Sequence, residues 1–294
     1  MKEKSMALND TLKTYYKLTK PGIIYGNSIT AAAGFMLASN GHINFKLLVS
    51  MLAGISLVMA SGCVYNNVID RDIDKKMKRT KNRALVTGEV TAQNALMFAS
   101  VLGIAGITFL ITQTNKLTAV VALIGLLTYV VLYGIGKRRS VHGTVIGSIS
   151  GAVPPVVGYC AVTNRFDLGA LLLFLILVCW QMPHFYAIAT YRIKDYANAG
   201  LPILTVKKGV EAAKKQMIVY ILAFIAATII LHATGYTGYT YLVVVSFAGF
   251  AWLRLALQGL KTDNNERWAR KLFGFSLIVL LTFSVMISLD SFLP

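Results

Sequence analysis

Three oxygen-bearing side chains, Asn66, Asp70 and Asp74, are spaced four residues apart in the string VYNNVIDRDIDKKMKRTKNRAL. On a helix this spacing places them along one face, about 6 Å apart at each step. Two carboxylates four residues apart destabilise a helix by a few tenths of a kcal/mol unless a cation neutralises them. Mg²⁺ prefers oxygen ligands and completes its coordination with water and substrate phosphates. The stripe therefore predicts a Mg²⁺ site.

A run of basic residues suited to phosphate oxygens follows this stripe. Its members are Lys75, Lys76, Lys78, Arg79, Lys81 and Arg83. An acidic stripe beside a basic run favours a diphosphate site, whereas the alternative is an ordinary solvated loop between membrane helices. Arg71 and Asp72 already supply solvated charge on the other faces of the helix. The stripe also adjoins the apolar segment that ends near Val64, so it is predicted to lie at a membrane boundary.

A second polar segment lies in the string WQMPHFYAIATYRIKDYANAGLPILTV. It places Tyr191 and Asp195 four residues apart, with Arg192 and Lys194 beside them. Taken alone, such a segment is most often an ordinary helix end. On the same membrane face as the first stripe, it becomes a candidate second half of a diphosphate clamp, with Asp195 as its carboxylate.

A third basic cluster, Lys137, Arg138 and Arg139, ends another apolar segment, and Tyr133 lies four residues before Lys137. The alternative to a binding role is a cluster that only orients the protein in the membrane. The two prolines of the following string GAVPP are predicted to break or kink a helix. Such breaks are tolerated in membranes where the helix lines a cavity.

Apolar helices must position these residues, because 56% of the chain is hydrophobic and only 14% is charged. Soluble domains have about 25% charged residues, so the sequence predicts an all-α polytopic membrane protein. Spanning a bilayer takes about 20 apolar residues. Nine transmembrane helices around a central cavity are expected at about 22–39, 46–65, 94–112, 117–135, 143–161, 168–189, 216–234, 239–258 and 272–289. The three cysteines lack metal-ligand spacing and indicate neither disulfides nor zinc.

The distribution of basic residues predicts the orientation of these helices. Alternate connecting segments hold 26 of the 29 Lys and Arg residues, including five lysines before the first apolar run. The positive-inside rule then places the N-terminus and the long loops in the cytoplasm, and an odd helix count places the C-terminus outside. The N-terminal segment lacks the features of a removable signal peptide and is expected to remain. The net charge of +17 is explained by this topology rather than by nucleic-acid binding.

The spaced Asn and Asp residues resemble the first aspartate-rich motif of the UbiA-type intramembrane prenyltransferase superfamily. The segments NNVIDRDIDKKMKRTKNR, GAVPPVVGYCAVT and WQMPHFYAIA, together with LTKPGIIYGN, KDY and WARKLFGFS, resemble its heme O synthase branch, the protoheme IX farnesyltransferases. This resemblance covers nearly the whole chain and implies one integral membrane domain over residues 1–294. It also implies a bacterial cytoplasmic (inner) membrane location and an active site facing the cytoplasm.

The resemblance implies a reaction as well as a fold. The farnesyl group of farnesyl diphosphate would be transferred to a vinyl group of heme b with addition of water, giving heme O for terminal oxidases and diphosphate, with Mg²⁺ as cofactor. The resemblance also implies that the protein is embedded in a lipid bilayer. A homodimer and an association with oxidase assembly components both remain open.

Roles for individual residues also follow from the resemblance. Mg²⁺ would be held by Asn66, Asp70, Asp74 and Asp195, of which the three aspartates are the implied catalytic residues. The diphosphate would be bound by Lys78, Arg79, Lys81, Arg83, Tyr133, Lys137, Arg138, Arg192 and Lys194. Many superfamily members have two acids where this chain has Tyr191 and Asp195, so the second metal position rests on Asp195.

Two histidines are candidates for holding the heme through an axial imidazole. His184 follows a proline near the cytoplasmic end of the sixth helix, and His142 lies at the start of the fifth. A buried histidine is more often a hydrogen-bonding group of the protein interior, and that alternative stays open for His184.

Two other classes of protein are compatible with parts of the pattern. A prenyltransferase acting on a quinone precursor such as 4-hydroxybenzoate would share the metal site and lack the WQMPHF signature. A secondary transporter would place ionisable residues near the middle of the membrane on broken helices. Here the predicted spans are almost free of charge, which disfavours a transporter.

Overall fold

The computed structural model describes residues 8–293, which fold into helices without any β-strand. Before the first acidic motif come α1 (Leu8–Leu18), α2 (Pro21–Ser39) and α3 (Phe45–Ile69). They are followed by α4 (Arg71–Asp74), α5 (Ala84–Thr87), α6 (Ala92–Gln113), α7 (Lys116–Leu127), α8 (Gly134–Arg139), α9 (Gly143–Gly151), α10 (Val153–Thr163) and α11 (Leu168–Tyr191). The last are α12 (Ile193–Asn198), α13 (Leu204–Lys207), α14 (Gly209–Ala233), α15 (Tyr239–Gln258) and α16 (Asn265–Leu289). Lys2 and Lys4 of the expected cytoplasmic segment lie outside the described residues.

Eight helical segments in the described part of the chain are long and apolar enough to cross a membrane. Two of them combine shorter helices, α7 with α8 and α9 with α10. The expected first span, at 22–39, forms α2 but is not among the eight. Asn27, Ser28, Thr30 and three glycines lower the mean hydropathy of this helix. An all-helical, multi-pass membrane protein is thus confirmed, while the count of nine spans stays a prediction.

Polar side chains define where several of the long helices begin. The Asn44, Thr91, Asn115 and Asp167 side chains each accept a hydrogen bond from a backbone N–H in the first turn of α3, α6, α7 and α11. Residues of these types satisfy N–H groups that have no partner within a helix. In a chain otherwise so apolar, they separate consecutive apolar runs into distinct helices.

Glycines let two pairs of helices approach unusually closely, as is common in membranes. Gly34 of α2 and Gly158 of α10 each face the backbone of the other helix. Gly54 of α3 and Gly106 of α6 form a similar contact. One hydrophobic cluster joins α2, α3, α6, α7 and α10 at these crossings. A larger cluster joins α10, α11, α14, α15 and α16.

Two irregularities in the long helices lie beside the cavity described below. The predicted break at GAVPP is confirmed, because α9 ends at Gly151 and α10 begins at Val153. Near this break, Gln181 of α11 donates a hydrogen bond to the Ser148 carbonyl (3.1 Å). A π-helical turn, Thr128–Tyr133, separates α7 from α8. Such turns are rare and frequent at functional sites.

Candidate active site

A large cavity lies among these helices, with a volume of about 900 Å³. Residues of α2, α3, α8, α9, α11 and α16 line it, together with the loop after α4. The predicted site residues along its wall are Asn66, Asp70, Asp74, Arg79, Arg83, Tyr133, Lys137, His184 and Arg192. The structure thus brings members of all three polar segments to one chamber.

The first acidic stripe keeps its spacing although the helix that carries it is interrupted. Helix α3 ends at Ile69, and Asp70 separates it from α4. The Asp70 N–H donates to the Asn66 carbonyl (2.9 Å) and the Asp74 N–H donates to the Asp70 carbonyl (2.8 Å). Because these bonds continue the helical pattern across the break, all three side chains reach the cavity wall.

Both carboxylates of the stripe have a close cationic partner from elsewhere in the chain. Lys137 Nζ lies 2.6 Å from Asp70 Oδ2, and Arg83 Nη1 lies 2.6 Å from Asp74 Oδ2. The Asp74 and Lys137 side chains are almost fully buried, at 6% and 9% exposure. Ion pairs this short and buried bond more strongly than exposed ones. The cations are therefore held at the acidic stripe, in reach of an anion that enters the cavity.

Lys20 joins the same group, although it was not among the predicted site residues. Its Nζ donates to Asn66 Oδ1 (2.9 Å) across a separation of 46 residues. Its backbone is left-handed (φ +54°), a conformation that is uncommon outside glycine and costs energy. Burial lowers the pKa of Lys20 to about 8, an effect that the nearby Cys63, Asp70 and Asp74 oppose. The one local feature of the sequence that could have drawn attention to Lys20 is its position directly before the proline that starts α2.

The Tyr133 ring lies against the ammonium group of Lys137. The lysine Nζ lies 4.9 Å from the centre of the Tyr133 ring, which stacks on Tyr129 with 5.7 Å between ring centres. Gly143 and Gly147 of α9 lie against the Lys137 backbone and the Tyr133 ring, where a Cβ would come within 3 Å. The predicted Tyr133 and Lys137 pair is therefore positioned by the π-helical turn on one side and by α9 on the other.

Arg138 does not line the cavity and holds the loop that carries the stripe. It forms two hydrogen bonds with the Asp72 carboxylate, at 2.7 and 2.9 Å, and donates to the Ile69 carbonyl. The Arg138 guanidinium holds the pKa of Asp72 at about 2. The contact fixes α8 to the break between α3 and α4.

The remaining predicted site residues lie outside the cavity wall. Lys78, Lys81, Lys194 and His142 are exposed. Asp195 is half-buried in α12, and its carboxylate lies 3.9 Å from the Arg192 guanidinium. Its role as a metal ligand stays a prediction.

His184 lies on the cavity wall in an aromatic environment. Its ring stacks on Trp180 (4.7 Å between centres) and contacts Phe273 (4.9 Å). His184 Nδ1 lies 2.7 Å from Ser276 Oγ, and this hydroxyl donates to the Phe273 carbonyl at 2.6 Å. The serine has one proton to donate and therefore accepts from Nδ1–H, which leaves the lone pair of the neutral ring on Nε2. Nothing in the sequence indicated Ser276, which is 92 residues away.

The donor set at the stripe fits Mg²⁺. Asp70 Oδ1 is buried and has no hydrogen-bond partner among residues 8–293, although Arg138 lies 3.9 Å away. No group of three or more His, Cys, Asp or Glu side chains converges within the described part of the chain. One or two carboxylates that rely on substrate phosphates for the other ligands are the usual arrangement for Mg²⁺.

Comparison with known proteins gives matches over nearly the whole length. Residues 27–279 match the model of the UbiA prenyltransferase family. The chain is 55% identical over 284 residues to protoheme IX farnesyltransferase of Photorhabdus laumondii, covering 96% of this chain and 97% of that one. It is 51% identical to protoheme IX farnesyltransferase 2 of Pseudomonas putida, covering 96% of each.

Solved structures show the same fold at low sequence identity. A structure of digeranylgeranylglyceryl phosphate synthase superimposes with a TM-score of 0.80 at 20% identity, covering 96% of this chain and 99% of that one. A UbiA homologue from Archaeoglobus fulgidus, bound to GPP and Mg²⁺, superimposes with a TM-score of 0.67 at 16% identity, covering 94% and 99%.

Proposed function

The chain belongs to the UbiA prenyltransferase family, and from that premise we propose that it transfers the farnesyl group of farnesyl diphosphate to a vinyl group of heme b. Water adds in the same reaction, and the products are heme O and diphosphate. The observation that carries the assignment is one cavity with ion-paired carboxylates at one part of its wall and an aromatic wall containing His184 at another. The relatives at 51–55% identity carry the name of this activity.

The diphosphate of the donor would bind among the cations that now pair with the stripe. Lys20, Arg83 and Lys137 have Asn66, Asp74 and Asp70 as partners. These cations would also bind the diphosphate oxygens. The residues that would hold Mg²⁺ are Asn66, Asp70, Asp74 and Asp195. Bound Mg²⁺ supplies positive charge that stabilises the leaving diphosphate. The exposed Lys78, Lys81 and Lys194 attract the anionic donor toward the site.

Breaking the allylic C–O bond leaves a farnesyl cation and diphosphate. The vinyl group of heme b supplies the electron pair for the new C–C bond, water then captures the resulting cation on the porphyrin side, and one proton is released. The protein's contribution is electrostatic, because fixed cations favour the charge that develops on the diphosphate. The apolar wall of the cavity solvates the farnesyl chain and limits the access of water to the cation.

His184 is the proposed axial ligand of the heme iron, through the lone pair on Nε2 that the Ser276 hydrogen bond leaves free. His142 is exposed and is the second candidate for this role. In the membrane, α2 would complete the nine spans, with the N-terminus in the cytoplasm, the active site facing the cytoplasm and the C-terminus outside. The whole chain, 1–294, would act as one domain of the bacterial inner membrane. A homodimer and contacts with oxidase assembly components are both compatible with this topology.

His184→Ala is expected to abolish the Soret shift that accompanies binding of heme b to the purified protein. Binding of farnesyl diphosphate with Mg²⁺ should be unchanged, because His184 lies among aromatic residues rather than at the stripe. Absorbance titration measures the first and calorimetry the second. His42→Ala, at an exposed histidine away from the cavity, is the matched control, and loss of the shift in His142→Ala instead would assign the role to that second candidate. A wild-type spectrum in the His184 variant would make its role structural.

The overall activity is tested by supplying the protein in detergent with heme b, farnesyl diphosphate and Mg²⁺. The expected product is heavier than heme b by one farnesyl group plus water, detected by chromatography and mass spectrometry, and EDTA should prevent its formation. Prenylation of 4-hydroxybenzoate in place of heme would keep the diphosphate site and contradict the acceptor.

A further inference from the structure

Two guanidinium groups stack on one tyrosine at the end of α11. Arg192 Cζ lies 5.3 Å from the centre of the Tyr191 ring, and Arg270 Cζ from α16 lies 4.7 Å from it. Tyr191 and Arg192 line the cavity, whereas Arg270 is exposed and does not line it. The pair therefore marks one part of the cavity rim with two positive charges.

Neither arginine has a strong partner among the described residues 8–293. Arg192 is 3.9 Å from Asp195, which is too long for a hydrogen bond. Arg270 is 2.8 Å from Glu266, but these side chains are 58% and 64% exposed, and such pairs contribute little. Arg83, by contrast, holds a buried carboxylate at 2.6 Å. The two rim arginines are thus available to an incoming anion without breaking a buried ion pair.

An aromatic wall leads along the cavity to this pair. Ring centres are 4.7 Å apart for Trp180 and His184, 4.9 Å for His184 and Phe273, and 5.9 Å for Phe273 and Tyr191. All four residues line the cavity. From His184 to Arg192 the helical rise is about 12 Å. A flat apolar ligand lying on this wall would have any acidic edge at the two arginines.

Heme b has this shape, with an apolar macrocycle and two carboxylates on one edge. We propose that Arg192 and Arg270 bind the two carboxylates of the heme acceptor, an inference that rests on the proposed function. Arginine suits the role because its planar group forms two parallel hydrogen bonds with a carboxylate. Arg192 then belongs to the acceptor subsite and not to the diphosphate clamp. The opposite edge of the heme, which carries the vinyl groups, points into the cavity toward the donor.

The test compares heme b with its iron-containing dimethyl ester, in which both carboxylates are neutral. Wild-type protein should bind the free acid about 100-fold more tightly than the ester, because each arginine is expected to contribute a factor of about ten. In Arg192→Ala/Arg270→Ala this ratio should fall to about one, with binding of farnesyl diphosphate and Mg²⁺ unchanged. Arg267→Ala, an exposed arginine of the same helix, is the matched control and should keep the wild-type ratio.

Three outcomes would overturn the inference. If the wild type binds both hemes equally and still forms product, the proposed function stands and the carboxylate subsite is wrong. If the double variant keeps its preference for the acid but binds farnesyl diphosphate weakly, the arginines serve the donor. If the wild type binds neither heme and forms no product, the proposed function fails, and this inference fails with it.

Discussion

Asp70→Asn is expected to reduce turnover by about a thousandfold or more at saturating substrates. Removing one preorganised charge-stabilising group from an active site typically costs a factor of about 100 to 1,000, and Asp70 has two roles. It presents a buried oxygen with no hydrogen-bond partner among the described residues, and it holds Lys137 at 2.6 Å. The amide keeps one oxygen acceptor for Lys137, but it removes the charge and replaces the second oxygen with an NH2 group that is no ligand for Mg²⁺. Product formation is measured by chromatography of the heme fraction.

A readout independent of turnover separates a metal-binding role from a structural one. Mg²⁺ should strengthen binding of farnesyl diphosphate to the wild type, and this increment should disappear in the Asp70 variant. Asp263→Asn is the matched control, because Asp263 is exposed and does not line the cavity. More than a tenth of wild-type turnover in Asp70→Asn, or an unchanged Mg²⁺ increment, would contradict the assignment.

Local periodicity was enough to predict the stripe and most of the helices. Side chains four residues apart lie on one face of any helix. Asn66, Asp70 and Asp74 keep this arrangement even where α3 is interrupted. Apolar runs of sufficient length predicted the spans, and the two prolines after α9 predicted its break. These features depend on neighbours in sequence, which is why they could be derived without the fold.

Contacts between distant segments could not be derived in this way. Lys20 reaches Asn66 only because α2 packs beside α3, and Ser276 fixes the His184 tautomer only because α16 crosses α11. Arg138, to which the resemblance gave a diphosphate-binding role, directly follows Lys137 in the sequence. One step along a helix turns the side chain by about 100°, and Arg138 bonds to Asp72 instead. Helix packing decides which charges share a chamber.

Gly158→Ala is expected to destabilise the protein by about 3 kcal/mol or more. A Cβ at this position would lie 1.9 Å from the Ala31 carbonyl oxygen and 2.8 Å from the Phe35 nitrogen, both backbone atoms of α2. Overpacking usually costs about 1–3 kcal/mol when side chains can shift. Here no rotamer change relieves the clash, so α2 and α10 must separate. Thermal unfolding in detergent measures the loss.

Separation of α2 from α10 should also reduce activity. Helix α2 begins directly after Lys20, so the contact of Lys20 with Asn66 depends on the position of α2. Gly274→Ala is the matched control: a Cβ there would meet nothing within 4 Å, and alanine favours a helix by about 0.5–1 kcal/mol over glycine. A melting temperature unchanged in Gly158→Ala would mean that the helices do not cross at this distance. Loss of stability with full retention of turnover would mean that α2 moves without displacing Lys20, and that the stripe does not depend on the crossing.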